Sequence, residues 1–415
     1  MTESTEVKFF SNENTGAPQL ENTWGCLIDV LDACLVTGFS AQPVSTLACN
    51  EGLVTVAFAT AHTYKQNQVI KITGANTTEL NGEFRILSIP NANTLTYRLS
   101  TAATLTTTGQ ITCSLPPLGW KKTYSGVQKA VYQANNGLDP MYLRVDDSCS
   151  SGAPETGAKF AKITVCDAMS GIDTFDGIQM PYDAQNPNRN HGFNNNFHGW
   201  FKWYHATQRN GNNNNFIEST PPQNGIREWL VVGDATFFVI LNRTNMQENL
   251  YFIYGFGKVQ NLTNDTDNYA LLVSSVNATI STVVSHQIHD PISGARSDHR
   301  ANSFIFFDKY GAANYQQLQK YEMPYVNISQ TAMNGISEQQ YSGRADVLEG
   351  FSTLGKYIGF DMFAVSQNLP VFRLPFIRSL AQMGSQMQWQ DSAVCVRSNN
   401  QEGGQAAYLV CLKER

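Results

Sequence analysis

Apolar residues between Thr23 and Val36 recur at three- and four-residue spacings: Trp24, Leu27, Ile28, Leu31, Cys34 and Leu35. That period predicts one amphipathic helix over TWGCLIDVLDACLV. Beyond it the period changes to two. LVTVAFATAH, QVIKITG, GEFRILSI, TLTYRL and GQITCSL each alternate, and Gly, Asn and Pro punctuate them. Five short strands so closely spaced predict a self-contained β-module over 47–113.

GWKKTYSGVQKAVYQANNGLDPMYLRVDDS then reads as two strands with a hairpin turning at Asn135 to Pro140, followed by the strand KFAKITVCDAM from Lys159. The module is thus expected as an insertion in a parent domain made of 1–46 and 114–183. Residues 184–225 are rich in Asn, which favours turns and contributes little to a core, so they are expected as surface loops around an ordered aromatic centre. From 226 to 415 the chain returns to strands. EWLVVGDATFFVILNR and ENLYFIYGFGKV predict a meander turning at Asn242 to Asn249, with further strands at NYALLVSSV, NSFIFFDKYG, LPVFRLPF, SAVCVRS and AAYLVCLK and one short helix over 313–322. The expected class is mainly β, a β-rich α+β chain of several domains. A small β-barrel interrupts an N-terminal α+β domain, and a β-sandwich-like or meander region follows.

At 415 residues the chain is long enough for two or three domains. Charged residues make up 15%, against about 25% in an average soluble protein, which suits β-sheets faced with neutral polar side chains and packed against partners. A net charge of -6 argues against a protein that neutralises a phosphate backbone, so no nucleic acid is expected. No run approaches the ~18 apolar residues of a membrane-spanning helix, and MTESTEVKFF lacks a secretory pattern. Folding in a cytoplasm, without membrane insertion, is the expectation. The eight cysteines contain no CxxC pair and sit mostly in apolar runs, which predicts buried free thiols.

The candidate chemistry is sparse. His191, His198 and His205 recur every seven residues, too far apart for two of them to grip one ion from a helix. His286, His289 and Asp290, with His299, form a closer group on one loop, but no nucleophile or general base accompanies them. Asp146 and Asp147 are adjacent and so point to opposite faces of a strand; Asp173 and Asp176 are read as turn residues. No phosphate loop, GxSxG elbow or HExxH occurs. No catalytic residue, metal or cofactor is therefore expected. The binding candidate is the aromatic centre Trp200, Phe201, Trp203 and Tyr204. Such a cluster stacks on sugars or anchors a protein partner, and it serves equally as a strand packed under its own loop. His62, at the end of LVTVAFATAH, is expected to cap the next turn through backbone hydrogen bonds.

In order, FFSNENTGAPQLENTWGCLIDVLDACLVTGF, PLGWKKTYSGVQKAVYQ and YLRVDDS…AKITVCDAMSGIDT resemble a family of structural proteins of tailed bacteriophages. The resemblance covers residues 8 to 180 and continues through WLVVGDATFFVI and YGFGKV. AHTYKQNQVIKITGAN…LNGEFRILSIPNANTLTYRL resembles a small β-barrel of the first catalytic cysteine half-domain of ubiquitin-activating enzymes, one that recurs in phage tail proteins. The resemblance implies a virion tail component, assembled in the host bacterial cytoplasm, without enzymatic role. The expected partners are other copies of itself and other tail proteins, with a host surface receptor as the alternative that the aromatic centre at 200–204 would serve.

Overall fold

The computed structural model describes residues 3–135, 141–149, 155–177, 179–180, 201–206, 215–217, 222–244 and 251–260, and beyond these only the strands at 268–274, 285–287, 304–308, 320–321, 357–358, 361–362, 372–373, 375–380, 388–389, 393–397 and 407–413. The chain is mainly β. Strand β1 (Lys8–Ser11) is followed by helix α1 (Cys26–Leu31), which widens into a π-type turn over Asp32–Thr37. The periodicity predicted a longer regular helix. In the widened turn Gly38 N–H reaches back to Ala33 O at 2.9 Å. The carbonyls of Cys34 and Leu35 are left to accept from Leu118, Gly119 and Trp120, at 2.9, 3.0 and 2.9 Å. Tertiary bonds thus replace the regular ladder. Gly38 ends the segment at φ 71°, where a Cβ would strike Leu115 O.

Nine strands follow: β2 (Phe39–Pro43), β3 (Thr46–Asn50), β4 (Leu53–Ala57), β5 (Val69–Thr73), β6 (Gly82–Arg85), β7 (Ser88–Asn91), β8 (Thr94–Arg98), β9 (Leu105–Thr106) and β10 (Thr112–Leu115). Among the described residues they pair only with one another, in two antiparallel sheets ordered β2-β10-β5-β6 and β7-β8-β4-β3-β9. Alternation sets the faces: Leu47, Cys49, Val54, Val56, Ile70, Ile72, Leu95 and Tyr97 are buried, while Thr46, Ala48, Lys71 and Thr73 are exposed. The first and last strands are neighbours, so the chain enters and leaves side by side. Strands β2, β3 and β9 lie outside the sequence expectation: FSAQP and the Thr-rich 101–108 carry no apolar alternation, and β3 shows only two inward apolar positions, Leu47 and Cys49. His62 differs from expectation too. Its ring packs against Phe58 and Tyr64, with centroids at 5.2 and 5.5 Å, and neither ring nitrogen has a hydrogen-bond partner. The turn is closed instead by His62 N–H donating to Ala92 O at 2.8 Å. Burial among the aromatics holds the imidazole below its ordinary pKa.

The next sheet contains β11 (Lys121–Gly126), β12 (Lys129–Gln133), β13 (Tyr142–Asp146) and β14 (Phe160–Cys166) in chain order. The β12–β13 pairing begins at Gln133↔Tyr142, as a hairpin requires, although 136–140 fall outside the described residues. A small hairpin of β15 (Met169–Gly171) and β16 (Thr174–Phe175) follows. The outer edge of β14 is shared by β17 (Gln179–Met180) and β18 (Phe201–Tyr204). Ala130, Tyr132, Leu143, Val145, Ala161, Ile163, Val165 and Trp203 form its apolar face, whereas Arg144, Asp146, Lys162, Thr164 and Lys202 share the opposite one.

The remaining strands to residue 321 are β19 (Asn215–Ile217), β20 (Trp229–Gly233), β21 (Phe237–Asn242), β22 (Phe252–Gln260), β23 (Asn268–Ser274), β24 (Ser285–Gln287), β25 (Phe304–Asp308) and β26 (Lys320–Tyr321). The expected meander is present, within a sheet ordered β1-β20-β21-β22-β23-β25-β26. The N-terminal strand pairs with β20, not with the β11–β14 sheet. All residues of β1, β20 and β21 are buried, so the continuous apolar runs of β20 and β21 need cover on both faces. Within 313–322, where a helix was expected, the described residues Lys320–Tyr321 are a strand. Five further strands form a sheet ordered Tyr357–Ile358, Ile377–Leu380, Ala407–Cys411, Ala393–Arg397, Gln388–Trp389. One hydrophobic cluster runs from α1 through both sheets of β2–β10 to Trp203, Phe238 and Tyr254.

Candidate functional site

Strand β18 carries the aromatic centre. Trp200 and the side chain of Phe201 lie outside the described residues. Trp203 and Tyr204 are 0% and 1% exposed. Trp203 stacks on Tyr254 at 5.5 Å and meets Phe238 edge-on at 6.2 Å. Tyr204 packs on Phe160 at 5.1 Å and its N–H donates to Tyr254 Oη at 2.9 Å. Both side chains are thus packed in the core of the described residues. Pairing with β14 turns Trp203 inward, between two sheets, where no sugar ring or partner can reach it. Of the two uses of such a cluster, Trp203 and Tyr204 serve the packing one.

The histidines divide. His191, His198, His289 and His299, with Asp290, lie outside the described residues, and His286 is described only as part of β24, paired with Phe216. His205, just past β18, is brought to Cys26 and Asp147 instead of to another histidine. Asp147, just past β13, donates its N–H to Gln128 O at 2.9 Å and accepts from Gly25 N–H at 3.1 Å. Its Oδ2 accepts from Leu27 N–H at 3.1 Å and its Oδ1 from His205 Nε2 at 3.1 Å. His205 Nδ1 donates to Glu21 O at 2.9 Å and lies 3.6 Å from Cys26 Sγ, while the thiol itself donates to Glu21 O at 3.4 Å. All three side chains are buried. Burial alone lowers the His205 pKa, but Cys26 and Asp147 outweigh it and hold the imidazole well above its ordinary value.

Thiol, imidazole and carboxylate in this order resemble the parts of an activated nucleophile. Cys26, however, is 5% exposed, and the Glu21 carbonyl already takes the Nδ1 proton. The arrangement instead holds residues 21–27 against the ends of β13 and β18. Sequence spacing hid it, because the partners come from three distant segments; only the Asp146–Asp147 doublet hinted that one carboxylate would face away from its sheet.

Asp146 points to the other face. It meets Arg144 at 2.9 Å, Lys162 at 3.5 Å and Lys129 at 4.0 Å, and these cations hold it below the ordinary carboxylate range despite burial. Lys162 is pushed down to about 8, chiefly by burial, with Asp146 opposing and Arg144 and Lys129 adding repulsion. Asp173 completes the network through Lys129 at 2.9 Å and through Arg144. Asp176 stays out of it, with its N–H on Ala168 O at 3.0 Å. The expected free thiols hold for Cys26, Cys34, Cys49, Cys113 and Cys166, which are buried; Cys149 is exposed and Cys411 half-buried.

No protein-family model matches the chain, and no curated protein matches it. Among solved structures the chain is similar to phage phi92 endosialidase at 8% identity and a TM-score of 0.17, over 90% of this chain and 52% of that one. The chain therefore spans about half the length of that structure. At this score the likeness carries no argument about fold or function.

Proposed function

We propose that the chain is a structural subunit of a bacteriophage virion, at the tail tip or baseplate, acting as an adaptor or spacer through its β-sheets. It assembles with copies of itself and other tail proteins, and the reading gives it no catalytic role. The observation that supports this most is how the β2–β10 strands are mounted. They leave and rejoin the chain through the paired β2 and β10, and polar bonds pin them to the N-terminal segment. Arg85 donates to Val7 O at 2.8 Å and Ser4 O at 2.8 Å, Lys8 meets Glu83 at 2.8 Å, and Asn14 donates to Thr63 O at 2.9 Å. A unit fixed at both its stalk and its flank transmits position to a neighbour without bending, as a spacer must. The carbohydrate-binding alternative loses Trp203 and Tyr204 as a platform.

Imaging of intact particles with the chain labelled tests the proposal. Density at the tail end is expected, and density on the head would make the chain a capsid decoration protein. Particles that lack the chain yet are complete and infective would sink the reading.

A further inference from the structure

We propose that the charged face of the β11–β14 sheet binds a tetrahedral oxyanion, inorganic phosphate or sulfate, with Arg144, Lys129 and Thr164 as its donors and Asp173 holding the ligand's place in this structure. Arg144 and Thr164 are cross-strand partners on β13 and β14, and both are 0% exposed. Their side chains therefore stand side by side on one face. Among the described residues, Arg144 Nη1 and Thr164 Oγ1 have no hydrogen-bond partner. Buried polar groups left unmet are costly, and a ligand oxygen that reaches both removes the cost. A guanidinium offers two parallel N–H groups to such an ion, and the adjacent hydroxyl offers one more donor.

Asp173 shows what the site accepts. It lies in the two-residue turn of the β15–β16 hairpin, between the partners Gly171 and Thr174, and its side chain is 49% exposed. Its carboxylate oxygens meet Lys129 Nζ at 3.1 and 2.9 Å, and Oδ1 also accepts from Arg144 Nη2. The hairpin is held over Arg144 by the bond from Arg144 Nε to Ile172 O at 2.8 Å and by the Phe175 ring, 5.7 Å from Arg144 Cζ. So short a two-stranded hairpin is marginally stable by itself, and its lifting opens the guanidinium to an outside anion. Charge favours that exchange. Among the described residues three cations, Lys129, Arg144 and Lys162, meet two carboxylates, Asp146 and Asp173. Asp146 is buried between strands and stays. Withdrawal of Asp173 leaves three positive charges against one negative, and a phosphate or sulfate dianion cancels the difference.

Calorimetric titration of the full chain with sodium phosphate and sodium sulfate, at an ionic strength held constant with chloride, tests this directly. One saturable site per chain is expected. Asp173→Asn neutralises the internal competitor and is expected to bind the anion at least about 5-fold more tightly, as relief of a closed state does. Thr164→Val keeps the shape and drops the hydroxyl, so about tenfold weaker binding is expected from the loss of one hydrogen bond to a charged group. Circular dichroism of each variant separates a lost site from a lost fold. A wild-type chain with no saturable binding at millimolar phosphate or sulfate would overturn the proposal without recourse to any variant. A folded Asp173→Asn chain that binds no more tightly than wild type, or a folded Thr164→Val chain that binds equally well, would also overturn it.

Discussion

Asn14 illustrates how much one buried amide can hold. It is 2% exposed; its Oδ1 accepts from Ser11 N–H at 3.1 Å and from Gln68 Nε2 at 2.9 Å. Its Nδ2 donates to Thr63 O at 2.9 Å and to Gln68 Oε1 at 3.1 Å. Asn14→Ala leaves several buried groups without a partner, and each such orphan costs ~1–3 kcal/mol. The expected result is a lower urea midpoint at unchanged slope; a midpoint equal to wild type would refute it. Lys162 makes a second prediction at this scale. Its folded pKa of about 8 lies below the ~10.4 of an unfolded lysine. Between those values the unfolded chain binds more protons, so this residue makes stability rise with pH across the window. Buried thiols act the other way there, since burial raises Cys34 and lifts Cys113 to about 12. Comparison with Lys162→Met isolates the lysine: urea midpoints at pH 7.5 and 9.5 should favour wild type increasingly at the higher pH, and parallel profiles would show the expectation false.

At the scale of elements, legibility followed burial on one face. Val54 and Val56 alternate with half-exposed neighbours, and Ile70 and Ile72 with the exposed Lys71 and Thr73, so β4 and β5 were readable from sequence. The π-type turn was not, because it depends on Leu118, Gly119 and Trp120 arriving to take the carbonyls of Cys34 and Leu35. Nor was the meeting of Cys26, Asp147 and His205, since no local period links a helix start to two strand ends. The pairing of β2 with β10 yields a prediction. Pro43 and Thr112 are partners in β2 and β10. Replacing residues 44–111 by an Asn-Gly turn, which suits a two-residue hairpin, should leave the β11–β14 sheet folded. The bonds of Arg85 and Gln68 to the N-terminal segment would be lost, so lower thermal stability is expected. Near-UV circular dichroism of the buried tryptophans checks it, and loss of their signal would mean that the β2–β10 strands are required by the rest of the fold.

At the scale of the whole molecule, the decisive contact joins the chain's beginning to its middle. Strand β1 covers the edge of β20 through Lys8↔Gly233, Phe9↔Val232, Phe10↔Val231 and Ser11↔Leu230. Trp229 N–H and Asn12 Oδ1 extend the seam at 3.3 Å, and Trp229 Nε1 donates to Pro18 O at 3.0 Å. Beneath it lie the apolar runs WLVVG and FFVILN, buried at every position. An uncovered strand of that composition is a template for pairing with another chain. Removal of residues 1–11 exposes the edge of β20 while leaving Cys26, Asp147 and His205 in place. The truncated chain should therefore keep its strand content by far-UV circular dichroism yet self-associate at concentrations where the full chain does not, as read by sedimentation velocity. Adding a peptide of residues 5–13 should reverse the association by restoring the missing strand. A truncated chain with the sedimentation behaviour of the full one would mean that β1 contributes no edge protection, and that the sheet's margin is covered by other residues.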